Sequence, residues 1–129
     1  MTGGRWTTVD RIVSVEPGKS ATGLRNVPNT LAIFDSHFPR FPVMPGVLIL
    51  GSLGALASEL LEQETGDPWR LAGADRVGFR HFVQPGDQME LTVQLKERSD
   101  DEAVLSGDVK VDGKIVTRAR RLRAVRSGG

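Results

Sequence analysis

The segment "GVLILGSLGALASELLEQETG", residues 46–66, most constrains how this chain can fold. From Val47 to Leu56 its residues are apolar or small on every side, and acids enter only at Glu59, Glu62 and Glu64. Pro45 suits the first position of a helix, and Gly66 followed by Pro68 supplies a stop. A helix of about five turns is therefore expected over about 46–65. A helix apolar all round is expected to be buried all round. In a chain of 129 residues, the remaining sequence must do the wrapping.

The flanking sequence has the texture of such a wrapper. In "MELTVQLKE", Met89, Leu91, Val93 and Leu95 alternate with Glu90, Thr92, Gln94 and Lys96, the pattern of a half-buried strand. A polar turn at Ser99–Glu102 leads into "AVLSGDVKV", and Asp112-Gly113 marks a hairpin before "KIVTRARRLRAV". Another strand is expected near residues 71–80. Ahead of the helix, "RIVSVEPGKSATGLRNV" reads as two extended pieces around a Pro17-Gly18 turn. The proline-rich stretch 28–45 reads as a shaped loop. Strands, one buried helix, then more strands indicate an α+β fold, with residues 1–129 as a single domain whose antiparallel sheet surrounds one long central helix.

Composition narrows the function. Seventeen basic residues against sixteen acidic ones leave a net charge of +1, which gives no footing for nucleic acid as the main partner. With no cysteine, disulfide and thiolate chemistry are excluded. Two histidines, His37 and His81, are too few for a histidine-built metal centre, so neither metal nor organic cofactor is expected. The first residues lack the apolar core of a signal peptide, and the apolar run Val47–Ala57 is too short to span a bilayer. A cytoplasmic protein without a membrane partner is expected.

The chemistry concentrates in "HFPRFPVMPGVLILG", residues 37–51, where a histidine in a proline-rich loop runs straight into the helix. This stretch resembles the FabZ-type (3R)-hydroxyacyl-carrier-protein dehydratases of the hot-dog fold. Their His-Phe-Pro-x-x-Pro-x-Met-Pro-Gly-Val-Leu segment is matched at His37, Phe38, Pro39, Pro42, Met44, Pro45, Gly46, Val47 and Leu48. "VDRIVSVEPGK", "FRHFVQPGDQMELTV" and "VDGKIV" are similar to the family's first hairpin, a later strand entry and the last hairpin, so the likeness runs over roughly 9–125. The resemblance implies a dimeric hot-dog domain acting on acyl thioesters borne by an acyl carrier protein, in fatty-acid or polyketide synthesis.

Eliminating water from a 3-hydroxyacyl thioester needs a base for the α proton, donors for the developing enolate oxygen, and an acid for the departing hydroxyl. His37 suits the first task, since an imidazole with a pKa near 6.5 is mostly neutral at pH 7. Backbone N–H groups of Gly46 and Val47 at the helix start suit the second. For the third, the family carries Glu or Asp fourteen residues after its histidine, and here that position is Gly51. Leu50 and Ser52 offer no carboxylate, Glu59 lies about 12 Å further along the helix, and Asp35 is the one local candidate.

Because the family pairs the histidine of one subunit with the carboxylate of the other, one reading is a half-site dehydratase subunit completed by a carboxylate-bearing hot-dog partner. A homodimer with a re-sited acid is its variant. A non-catalytic acyl-binding or structural subunit is the alternative, and an acyl thioesterase a third. Phe38, Pro39, Met44 and Pro45 are assigned to the acyl tunnel together with Phe79 and Phe82, for which a place in the core is the other reading. Gly51 and Gly54 are read as sites of close helix packing across a dimer, or, at Gly51, as extra tunnel width. Arg76, Arg80, Arg121 and Arg123, with Arg118 and Arg120 beside them, are candidates for docking the acidic carrier protein. His81 is read as a structural or surface residue.

Overall fold

A computed structural model describes residues 9–27 and 46–127. The elements are β1 (Arg11–Glu16), β2 (Ser20–Asn26), α1 (Gly46–Thr65), β3 (Trp69–Phe79), β4 (Gln88–Arg98), β5 (Glu102–Val111) and β6 (Lys114–Arg126). The six strands form one antiparallel sheet in the order β1-β2-β4-β5-β6-β3. This is the α+β hot-dog arrangement expected from the sequence, and α1 has the expected limits.

Local chemistry accounts for the turns. Between β1 and β2, Lys19 N–H donates to Glu16 O at 2.9 Å with Gly18 at φ 78°, the left-handed position that a Pro-Gly turn assigns to glycine. Asp112 and Gly113 both take positive φ, 52° and 80°, so the β5–β6 hairpin closes as a two-residue turn whose twist matches that of its strands. At the end of α1, Gly66 (φ 80°) donates its N–H to Glu62 O at 2.7 Å. The corner into β3 is tied by Trp69, whose indole N–H donates to Thr65 Oγ1 at 2.9 Å and whose carbonyl accepts the Ser58 hydroxyl at 2.7 Å.

Strands β2 and β3 are consecutive in the chain but lie four strand spacings apart, about 19 Å. The connection between them must cross the whole sheet, and α1 makes the crossing. Its residues Ile49, Leu53, Leu56, Ala57, Leu60 and Leu61 are buried with Met89, Leu91, Val93, Leu105, Val109 and Leu122 of the sheet in one core. The alternation in β4 holds for Met89, Leu91 and Val93 and weakens at Leu95, because the β4–β5 register slips between Leu95 and Glu97.

The expectation of burial all round fails. One sheet covers one side of α1, and a stripe at helical spacing through Val47, Gly51, Ala55, Ser58 and Glu62 stays partly or fully exposed, with Val47 at 71%. Membrane span needs a correction too. Judged over its 20 residues instead of its longest apolar run, α1 is long and apolar enough to cross a bilayer, but it is the core helix of this fold. Gly54 is corrected as well, since a Cβ there would lie 3.0 Å from Leu71 Cβ. It permits close approach of α1 to β3 within this chain, not to another helix.

Candidate active site at the start of the central helix

The first turn of α1 carries no acidic side chain of its own, so nothing on that turn offsets the positive end of the helix dipole. Gly46 opens the helix and the Phe79 ring lies against it. A Cβ at Gly46 would come within 2.7 Å of Phe79 Cζ, so glycine here allows an aromatic ring to rest on the backbone. Val47 follows with its side chain outward. Gly51 lies one turn on, along the same half-exposed stripe.

Phe79 and Phe82 are not core residues: they are 51% and 79% exposed. Phe79 is brought to the helix tip, whereas Phe82 lies beyond the end of β3. The N–H groups of Arg80 and His81 both donate to Val116 O, at 2.8 and 3.4 Å, and the His81 side chain is exposed as expected of a surface residue. His37, Phe38, Pro39, Met44 and Pro45 lie outside the described residues, as does Asp35. Glu59 is engaged along the helix by Gln63 Nε2 at 3.4 Å and does not substitute at Gly51. Among the described residues no three His, Asp or Glu side chains gather as a metal ion would need.

The arginines expected to dock the carrier protein separate into two sets on the sheet face opposite α1. Arg121 pairs with Asp75 at 3.8 Å and Arg123 with Glu102 at 3.5 Å. Arg76 and Arg80 line open grooves together with Arg118 and Arg120.

Two features went unread in the sequence. Arg25 on β2 is only 2% exposed, and its Nη1 donates to the fully buried Ser52 Oγ at 2.7 Å, next in sequence to Gly51. Burial lowers the Arg25 pKa from its usual value, and the nearby Asp10 carboxylate opposes that shift. Asp10 is held in turn by the Asn26 N–H at 2.7 Å. Strand alternation was the available signal, for it puts Arg25 on the face of Ala21 and Gly23. The second feature is Thr117, which pairs in register with Phe79 and has a buried hydroxyl without a hydrogen-bond partner among the described residues. A threonine in an arginine-rich strand carries no such signal.

Comparisons with known proteins agree on the lineage. The FabA-like domain family matches residues 3–120. The 3-hydroxyacyl-[acyl-carrier-protein] dehydratase FabZ of Bacillus velezensis is 42% identical over 114 residues, covering 86% of this chain and 81% of that enzyme. FabZ of Pelotomaculum thermopropionicum is 40% identical over 121 residues, covering 92% and 86%. Among solved structures, the E. coli PaaI protein superposes with a TM-score of 0.72 at 17% identity, covering 92% of this chain and 79% of that one. The dehydratase heterocomplex ApeI:P from Xenorhabdus doucetiae gives 0.73 at 12% identity, covering 93% and 82%. The solved structures share the fold; the sequence relatives share more, and over nearly its whole length this chain belongs to the FabA-like family, among the FabZ-type dehydratases.

Proposed function

We propose that this chain is a dehydratase subunit that removes water from 3-hydroxyacyl thioesters carried on an acyl carrier protein, giving the trans-2-enoyl thioester, in the cytoplasm. Fatty-acid synthesis is the setting the FabZ relatives favour, with polyketide synthesis the other. The observation that carries the reading is about 40% identity to FabZ enzymes over four-fifths or more of their length. The positively polarised tip of α1, with no acid on its first turn, is consistent with it. The thioester oxygen would accept hydrogen bonds from the Gly46 and Val47 amides while His37 takes the α proton.

The missing acid sets the form of the enzyme. A positioned general acid contributes about 10²–10⁴ in rate, or roughly 3–5 kcal/mol of barrier. A second hot-dog subunit bearing a carboxylate at the position equivalent to Gly51 would restore that contribution opposite His37. The exposed stripe of α1 and the outer edge of β3 are the surfaces such a subunit would cover. The non-catalytic reading draws on the same Gly51: without an acid, the chain would bind acyl groups or support a catalytic partner.

Turnover of a 3-hydroxyacyl carrier protein, with the enoyl product followed by mass, separates the two. A catalytic subunit loses activity on His37→Ala when a carboxylate-bearing partner is present, and Gly51→Glu raises the activity of the chain alone. No change from either substitution leaves the non-catalytic reading standing.

A further inference from the structure

Strand β6 carries one polar group that the fold itself does not use. Thr117 is fully buried, and its hydroxyl has no hydrogen-bond partner among the described residues. Valine has nearly the same shape, suits a strand as well, and would bury here without a polar atom. A buried donor without an acceptor destabilises the free chain, so a hydroxyl at this position points to a partner that the free chain lacks.

The strand register fixes where that hydroxyl lies. Thr117 sits on the middle strand of three, opposite Val109 of β5 and Phe79 of β3, and the side chains of opposed residues share a face. Two residues on, Ala119 is opposite Gly107, where an added Cβ would meet Leu53 of α1 at 3.2 Å. Thr117 is therefore on the face toward α1. Its two cross-strand neighbours differ. Val109 is fully buried in the core, whereas Phe79 is half-exposed and lays its ring on Gly46. One phenyl ring thus spans the gap from Thr117 to the first residue of the helix. Just past that ring the chain is tied to β6, since the Arg80 N–H donates to Val116 O at 2.8 Å.

Two independent features meet here: a helix start with no acid on its first turn, and a buried hydroxyl without a partner on the same side of the sheet. A ligand that satisfies both carries two oxygens a short way apart, one to accept from amides and one to pair with a hydroxyl. A 3-hydroxyacyl thioester has that pair, the carbonyl oxygen on C1 and the hydroxyl on C3. We propose that Thr117 is a specificity-determining residue whose hydroxyl hydrogen-bonds the C3 hydroxyl of the acyl chain, while the thioester oxygen lies on the Gly46 and Val47 amides. The acyl chain reaches it from the side of Phe79, the exposed one of its two neighbours. Thr117 moves no proton. It separates a 3-hydroxyacyl chain from a plain acyl chain, because a buried polar group built to pair with a substrate hydroxyl rejects the analogue without one. The inference rests on the thioester docking at the helix tip.

Equilibrium binding of (3R)-3-hydroxybutyryl and butyryl pantetheine to the full chain, both as amides so that elimination is suppressed, isolates the hydroxyl. The chain is expected to prefer the hydroxylated compound by about 3–10-fold. Thr117→Val is expected to abolish that preference and Thr117→Ser to keep most of it. In urea, Thr117→Val is expected to be at least as stable as the parent, because an unpaired donor has been removed. A preference that survives in Thr117→Val overturns the proposal, and so does a loss of stability in that variant, which would show that the hydroxyl already has a partner in the free chain. Loss of the preference in Thr117→Ser as well traces it to the methyl group and overturns it too. Equal affinity of the parent for the two compounds overturns this inference alone. Binding of neither compound removes the acyl site itself, and with it the reading on which the inference rests.

Discussion

At Gly46, space and chemistry make opposite demands. An added Cβ meets only the far end of the half-exposed Phe79 ring, which can swing away. Gly46→Ala is therefore expected to change unfolding free energy by less than about 1 kcal/mol, yet to lower dehydration because the ring no longer rests on the helix tip. Thermal melts beside turnover measurements check this. The Arg25–Ser52 pair yields an asymmetric expectation. Ser52→Ala takes an acceptor from a buried cation and should cost about 1–3 kcal/mol. Arg25→Met also removes the cation that faces Asp10, so its loss is expected to exceed that of Ser52→Ala. Urea unfolding of the two variants measures it.

At the scale of elements, α1 and β3 meet through Gly54. The atom an added side chain would strike is Leu71 Cβ, which is fixed to the backbone of β3 and cannot turn aside. Gly54→Val is expected to destabilise by about 1–3 kcal/mol despite the better helix propensity of most residues over glycine. A Leu71→Ala background should leave that loss largely in place, because the Cβ remains; denaturant midpoints decide it. Periodicity marked Gly54 as a helix glycine, but its neighbour across the interface lies seventeen residues later in the chain and was invisible to a local pattern.

For the whole molecule, the consequence of a one-sided wrapper is an apolar helix face left open. Val47, Gly51, Ala55 and Ser58 line that face, and the exposed rings of Phe79 and Phe82 add to the apolar surface. If a second hot-dog subunit covers it, Ala55→Glu should reduce the assembly to single chains, a halving of mass in sedimentation. Mass unchanged by that charge would place the interface elsewhere.

The sequence by itself determined what short-range rules control. Helix limits follow from Pro45 and Gly66, the strands from period-two alternation, and the hairpin from Asp112-Gly113, because each depends on residues within a few positions. The motif around His37 is short-range too, and residues 50–52 hold no carboxylate. Only the tertiary structure decided which side of α1 meets solvent, which arginines find carboxylates and which line the grooves, and that Phe79 rests on Gly46. Those outcomes depend on residues brought together from distant strands. Burial and pairing are properties of the assembled sheet, and no local pattern encodes which of two apolar helix faces a single sheet will cover.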